Sequence, residues 1–218
     1  MITVYTTINE HPYARTTVTM PSWVPFCPTF AVPYVAMLFF TWVAPITLED
    51  TRRFWACLLA MACAYLLIMP WWIVIPTTLP RPPMPLGWWA GAYRGIVRMD
   101  VPNNVMPCAH GMGPIVAAWF IGRDRPTWRW PLVGILALGL PSIALIWQHR
   151  PIDIVFGGMA AAVGIAAGES LSRGRQTQNV GSAGETERSL SAMEKAQQVG
   201  MSSGVNGQGQ SEGLRAAD

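Results

Sequence analysis

The residues with the clearest chemical potential are His149 and Asp153, in the stretch Q-H-R-P-I-D. Side chains four positions apart share one face of a helix, so the carboxylate can hold one imidazole nitrogen and leave the other free to attack. Pro151 suits the first turn of a helix, which places Asp153 early in that helix and His149 just before it. The pair alone is a weak motif, because the same spacing also arises by chance.

A second histidine, His110, lies in the stretch D-V-P-N-N-V-M-P-C-A-H-G-M-G, directly before an apolar segment. The start of a helix offers free backbone N–H groups and the positive end of the helix dipole, which together favour phosphate. Arg81 lies in the proline-rich stretch L-P-R-P-P-M-P, where a rigidly held guanidinium can bind phosphate oxygens bidentately. Simpler alternatives stay open for both residues: a histidine that caps a helix, and an arginine that anchors a helix at the membrane interface.

These residues belong to a chain that is too apolar for an ordinary soluble domain. Of its 218 residues, 51% are hydrophobic, only 12% are charged, and 11 residues are tryptophan. The composition therefore predicts an integral membrane protein. The small net charge of +3, without a basic patch that includes aromatic residues, excludes nucleic acid as a partner. The 4 cysteines are scattered and predict neither a disulfide framework nor a C-x-x-C metal site.

Five apolar segments are long enough, or nearly so, to cross the hydrocarbon region as helices. They are Val24 to Ile46, Phe54 to Ile75, Cys108 to Ile121, Trp130 to Trp147 and Pro151 to Gly168. The predicted fold is an all-α integral membrane protein, a bundle of about five transmembrane helices within residues 21–170. Residues 1–20 are polar and predict an interfacial segment, and residues 171–218 are rich in Gly, Ser, Gln and Glu and predict a disordered tail.

Arginines in the short loops predict which side of the membrane each loop faces. The first loop, the third loop and the start of the tail carry arginines on one side, which the positive-inside tendency assigns to the cytoplasm. Both histidines then lie at the outer boundary, facing the periplasm or the outside of a bacterial inner or plasma membrane. Arginines on the histidine side reduce this bias unless they serve a site. They are Arg81, Arg94, Arg98 and Arg150.

Three blocks of the sequence resemble the signature of the type 2 phosphatidic acid phosphatase superfamily. R-P after one helix, P-C-A-H at the start of the next, and S-I-A-L-I-W-Q-H-R-P-I-D two helices later are similar to K-x6-R-P, P-S-G-H and S-R-x5-H-x3-D. The stretches P-S-W-V-P-F-C-P-T-F-A-V-P-Y and D-V-P-N-N-V-M-P-C-A-H further resemble the inositolphosphorylceramide-synthase-like branch, whose members are lipid phosphotransferases. The resemblance covers about Pro21 to Gly168.

The resemblance implies covalent catalysis on a lipid phosphate through a phosphohistidine intermediate, without a metal or another cofactor. His149 is then the nucleophile, Asp153 orients and charges it, and His110 protonates the leaving oxygen before it deprotonates the acceptor. The groups expected to bind phosphate are Arg81, Cys108, Ala109, Gly111, Ser142 and Arg150. Further substrate contacts are expected from Arg94, Arg98, Asp100 and Asn103.

Three positions depart from the family blocks. Val74 stands where the first block has lysine, Ile143 where the third block has arginine, and Cys108 where the second block has serine. Two classes of function therefore stay open. The first is a membrane lipid phosphatase or phosphotransferase, with water or an alcohol as the acceptor. The second is a catalytically degenerate membrane scaffold or lipid-binding protein; a transporter is disfavoured because no inverted halves appear.

Overall fold

A computed structural model describes residues 15–87 and 89–170, together with Thr7 and Arg173. This part of the chain is mostly helical and has only two short strands, which confirms the predicted all-α fold. The helices are α1 (Ala31–Thr47), α2 (Thr51–Val74), α3 (Trp89–Met99), α4 (Ala109–Asp124), α5 (Arg129–Leu145) and α6 (Pro151–Ser170). Short 3-10 turns, Pro28–Phe30 and Pro126–Trp128, lead into α1 and α5. The predicted disordered tail and most of the predicted interfacial segment lie outside the described residues.

Within the described residues, three helices are long and apolar enough to cross a membrane: Thr51–Val74, Pro126–Leu145 and Pro151–Ser170. Helices α1 and α4 are shorter, with 17 and 16 residues, so the predicted count of five spans is not confirmed. Large apolar side chains cover the outside of the bundle; Trp130, for example, is 81% exposed. Water-soluble proteins rarely expose so much apolar surface, so this outer face agrees with the prediction that the chain is a membrane protein.

Helix α4, which carries His110, lies in the middle of the described bundle. It packs against α1, α2 and α5, and most of its length is buried. Small residues make this close packing possible: a side chain at Gly113 would place its Cβ only 2.8 Å from Cγ2 of Thr41. The helix that presents His110 is therefore held by its neighbours over its full length.

Helix α6 approaches α2 through glycines on one face. A Cβ at Gly168 would lie 2.5 Å from the carbonyl oxygen of Ala56, and a Cβ at Gly164 would overlap the carbonyl oxygen of Ala60. Real Cβ atoms do not come this close to a backbone oxygen, so the two helices can pack at this distance only with glycine at these positions. This contact fixes α6, whose first turn follows His149 directly.

The long segment between α2 and α4 was predicted as a loop, and it contains two ordered elements. Helix α3 is amphipathic and buries Tyr93 and Ile96. Strand β2 (Thr77–Thr78) pairs in parallel with strand β1 (Thr16–Thr17), and Asn103 forms a bridge to Thr78. These elements cover the end of the bundle at which the α5–α6 loop carries His149.

Ion pairs join the helix ends and loops at the opposite end of the bundle. Arg53 contacts Asp124 at 2.8 Å, and Arg123 contacts Glu169 at 2.9 Å. Exposed pairs of this kind contribute little stability individually. They do show that the arginine-rich loops lie at the end of the bundle away from the histidines.

Candidate active site

Two loops bring the histidines together. His110 is the second residue of α4, which follows the loop of residues 100–108, and His149 lies in the loop between α5 and α6. His110 Nδ1 is 2.8 Å from His149 Nε2, and the two ring centroids are 5.0 Å apart. The structure therefore places the two predicted catalytic histidines in direct contact, although 39 positions separate them in the chain.

The Val105 carbonyl determines which nitrogen of His149 carries the proton. His149 Nδ1 lies 2.5 Å from the Val105 oxygen, and a carbonyl oxygen can only accept a hydrogen bond. Nδ1 of neutral His149 is therefore the N–H donor, and Nε2 carries the lone pair. Since His110 Nδ1 faces that lone pair, His110 must donate its own N–H to His149. The arrangement gives His149 one nucleophilic nitrogen with a proton donor beside it.

Burial keeps His149 neutral. Its side chain is only 3% exposed, and this burial lowers its pKa well below the model-peptide value of 6.5. The neighbouring His110 lowers the pKa further, as do the positive charges of Arg81 and Arg150, while the hydrogen bond to Val105 acts in the opposite direction. A neutral imidazole is the form that can attack phosphorus.

The lowered pKa predicts how stability changes with pH. Below about pH 6.5 the unfolded chain binds a proton at His149 that the folded protein does not accept, so the free energy of unfolding falls as the pH falls. The loss is at most about 1.4 kcal/mol per pH unit from this residue. We expect the melting temperature in detergent to drop between about pH 7 and about pH 5, and to drop less in the variant His149→Gln. Equal slopes for the two proteins would contradict the buried, neutral His149.

Asp153 has a different partner from the one the sequence predicted. Its carboxylate is fully buried and accepts three hydrogen bonds from Arg150: from the backbone N–H at 2.9 Å, from Nε at 3.0 Å and from Nη2 at 2.8 Å. These bonds raise the pKa of the Arg150 guanidinium. His149 instead bonds to Val105. The expected orientation of His149 by Asp153 is therefore corrected: the backbone carbonyl of Val105 orients His149, and Asp153 orients Arg150.

This pairing predicts that Asp153→Asn acts mainly on stability. Removing the charge leaves the partly buried guanidinium of Arg150 without its counter-ion, which costs about 1–3 kcal/mol. We expect a large fall in melting temperature for Asp153→Asn and for Arg150→Gln. The double variant should lose less than the sum of the two single losses, with a coupling energy of about 1–3 kcal/mol. Additive losses of stability, or a loss of rate without a loss of stability, would contradict this prediction. Either result would support the role that the sequence predicts for Asp153, which is to orient His149.

Asp100 provides a carboxylate for the other histidine. Its Oδ2 lies 3.7 Å from His110 Nε2 and 3.6 Å from Arg81 Nη2. Arg81 also donates to two backbone carbonyls, those of Trp147 at 3.2 Å and Asp100 at 3.1 Å, and so ties the two loops of the site together. The predicted phosphate-binding Arg81 and the predicted substrate contact Asp100 therefore both lie beside the histidine pair.

The predicted phosphate-binding backbone lies at the start of α4. Cys108 precedes the helix and is fully buried, and its N–H donates to the Asp153 carbonyl at 3.1 Å. The N–H groups of Ala109 and Gly111 belong to the first turn, where no earlier carbonyl of the helix can reach them. The N–H groups of His110 and Gly111 are directed at the Cys108 sulfur, so an anion at this helix start would compete with the thiol for them.

Other predicted residues do not face the histidines. The buried Ser142 donates its hydroxyl to the Gly139 carbonyl of its own helix, so this hydroxyl is not available as a phosphate donor. Arg94 and Arg98 are exposed on α3, and the structure shows no contact between them and the histidine pair. Asn103 pairs with Thr78 in a backbone bridge. These positions follow from α3 and the bridge to β2, neither of which was predicted.

Sequence reasoning missed several residues of the site. Tyr34 lies with its ring centroid 5.8 Å from that of His110, and Trp72 donates to the Pro107 carbonyl at 3.1 Å. Asn104 and Gln148 are each 2% exposed, and their side-chain amides have no hydrogen-bond partner among the described residues. Such buried amides normally bind water or a ligand. In the sequence, the only sign that these amides belong to the site was their position, since Asn104 directly precedes Val105 and Gln148 directly precedes His149.

Comparisons with known proteins add no relative. A scan against protein-family models, a search of curated proteins and a search of solved structures all find no match to this chain. The function must therefore be inferred from the geometry of the site together with the sequence blocks.

Proposed function

We propose that this chain is a membrane lipid phosphate phosphatase or phosphotransferase that works through a phosphohistidine at His149. The observation that carries the proposal is the contact between the lone pair of His149 Nε2 and the N–H of His110 Nδ1, with the first-turn N–H groups of α4 beside them. The resemblance to the type 2 phosphatidic acid phosphatase superfamily, which remains a prediction, points to the same chemistry.

In the first half-reaction the substrate phosphate enters between the two histidines, whose facing nitrogens lie 2.8 Å apart in this structure and must move apart to admit it. The lone pair of His149 Nε2 forms a bond to phosphorus while the ester P–O bond breaks, and the leaving oxygen takes the proton from His110 Nδ1. Val105 continues to accept from His149 Nδ1–H, so the ring keeps its orientation as it becomes positively charged. Asp100 lies on the far side of His110 and favours a charged imidazolium there before the proton leaves.

In the second half-reaction His110 acts as a base. Water or an alcohol loses its proton to His110 Nδ1 while its oxygen attacks phosphorus and the P–N bond breaks. This step restores the lone pair of His149 Nε2 and the proton on His110. Water as acceptor gives a phosphatase, and an alcohol gives a phosphotransferase.

Two arginines supply positive charge near the transferring phosphoryl group. Arg81 is 12% exposed beside Asp100, and Arg150 is 20% exposed beside Asp153. The positions of the family lysine and arginine offer nothing comparable, since Val74 is 75% exposed on the outside of α2 and Ile143 is fully buried in the core. We therefore assign the stabilisation of the non-bridging oxygens to Arg81, Arg150 and the N-terminus of α4.

A lipid substrate fits the location of the site. The site lies at one end of a bundle that has three helices able to cross a membrane, and the arginine-rich loops lie at the other end. The positive-inside tendency places those loops in the cytoplasm. We propose that the histidines face the periplasm or the outside, where the headgroup of a lipid in the outer leaflet reaches them.

Trapping the covalent intermediate tests this proposal. Purified protein in detergent is mixed with lipid phosphates labelled with ³²P, denatured within seconds, and digested for mass spectrometry. The expected result is an acid-labile phosphoryl group on His149. A catalytically degenerate scaffold would bind the lipid without labelling at any pH, and that outcome would refute the enzyme.

A further inference from the structure

Three side chains that can bind a metal lie together at the histidine pair, and two of them, Cys108 and His149, are buried. Cys108, His110 and His149 each offer one donor atom, and these atoms all lie within 4.8 Å of one another. Two imidazoles and one thiol are the donor set that Zn²⁺ and similar thiophilic ions favour. The resembled family has serine at the position of Cys108, so the thiol is a feature of this chain.

We propose that Cys108, His110 and His149 bind one Zn²⁺ ion, which occupies the lone pair of the nucleophile and reversibly blocks phosphoryl transfer. Binding needs the sulfur and the two nitrogens to move: the sulfur, now within 4.8 Å of the nitrogens, must lie about 3.6 Å from each of them. Zinc–nitrogen bonds of about 2.0–2.1 Å in tetrahedral geometry hold two nitrogens about 3.3 Å apart. The two nitrogens now lie 2.8 Å apart, so the rings must separate by about 0.5 Å.

Each histidine has an acceptor near its other nitrogen, as zinc-binding histidines usually do. His149 Nδ1 donates to the Val105 carbonyl, which leaves Nε2 for the metal. His110 Nε2 lies 3.7 Å from Asp100 Oδ2, which leaves Nδ1 for the metal. A zinc ligand set in which one histidine is supported by a carbonyl and the other by a carboxylate is therefore already in place.

Charge and stoichiometry also fit a single ion. Zn²⁺ displaces the thiol proton of Cys108, so an S–H bond breaks, an S–Zn bond forms and one proton passes to solvent. The proton on Nδ1 of neutral His110 is also released, and Nε2, which faces Asp100, takes up a proton in its place, so the net release is one proton. The thiolate and the nearby Asp100 together balance the two positive charges. A fourth coordination position stays open for water.

Cobalt substitution tests the site without any assay of phosphoryl transfer. The full-length protein is stripped with a chelator in detergent and titrated with Co²⁺, which gives a thiolate-to-metal absorption band when sulfur coordinates. We expect a band that saturates at one Co²⁺ per chain and disappears when Zn²⁺ is added. It should be absent in Cys108→Ser and unchanged in Cys63→Ser, a matched control at a partly exposed cysteine of α2. Asp100→Asn should weaken binding about 10- to 100-fold.

X-ray absorption at the zinc edge provides a second measurement that needs no variant. The wild-type protein with one Zn²⁺ should show one sulfur at about 2.3 Å and two nitrogens at about 2.0–2.1 Å. A spectrum without sulfur, or a cobalt band that persists in Cys108→Ser, would overturn the proposal. Inhibition by zinc depends on the proposed function, whereas binding of zinc does not. An active enzyme without the cobalt band would refute only the metal site. A cobalt band without labelled His149 would refute only the enzyme.

Discussion

His149→Gln is expected to abolish phosphoryl transfer, with a loss of about 10⁴-fold or more, and to remove the labelled intermediate. Glutamine has a side-chain N–H that can still donate to the Val105 carbonyl, so the loop keeps a hydrogen bond that His149 makes in the wild type. Glutamine has no lone pair on nitrogen that can attack phosphorus. The variant therefore separates the nucleophile from the structural role of the residue.

His110→Gln is expected to behave differently, because His110 supplies a proton and not the attacking lone pair. With an alkyl phosphate, whose leaving oxygen needs protonation, the variant should lose about 10²- to 10⁴-fold in rate. With a 4-nitrophenyl phosphate, the leaving group departs without a proton. The His110→Gln variant should therefore recover most of the rate of the first half-reaction. His149→Gln should stay inactive with both substrates.

The measurements are the burst of 4-nitrophenol, the amount of labelled protein and the melting temperature of each variant. Cys63→Ser serves as the control for expression and handling, since this cysteine lies on α2 away from the predicted site residues. Labelled phosphate on the His149→Gln protein would show that another residue is the nucleophile. Equal recovery of both histidine variants with the activated substrate would show that neither residue has the assigned role.

The sequence predicted which residues come together at the site more accurately than it predicted the contacts between them. Both histidines and Arg81 come together as expected, because apolar segments of helical length placed them at the same end of the bundle. The spacing of His149 and Asp153 predicted a contact that does not form. An i, i+4 pair meets only when both residues lie within one helix, and α6 begins at Pro151, after His149.

Other contacts depend on backbone groups and on distant residues, which residue types and spacing do not encode. The Val105 carbonyl reaches His149 only because the loop before α4 folds against the α5–α6 loop. Helix α3 was missed because it has only 11 residues, too few to cross a membrane, and includes two glycines, which weaken a helix. The sequence predicts Cys108 only as part of the phosphate site, and its thiol becomes a possible metal ligand because the fold brings His149 beside it.

Gly157→Ala is expected to disrupt the site from outside it. A Cβ at Gly157 would overlap the carbonyl oxygen of Cys108 and lie 3.2 Å from its carbonyl carbon. Backbone atoms cannot move aside as a flexible side chain can, so α6 or the start of α4 must shift. The cost is about 1–3 kcal/mol of stability. The shift would also move His110, which lies in the first turn of α4 two residues after Cys108. A displacement of about 1 Å can lower the rate about 10²-fold.

Gly158→Ala is the matched control, because it makes the same chemical change one position along the same helix. Its Cβ would meet only Cδ1 of Ile115, at 3.8 Å, which is ordinary van der Waals contact. Alanine is also the better helix former by about 1 kcal/mol, so this variant should be as stable as the wild type or slightly more stable, with its rate unchanged. The test is to measure the melting temperature and the rate of both variants under the same conditions. If they behave alike, the close contact between Gly157 and Cys108 does not position the site, and α6 affects His110 by some other route.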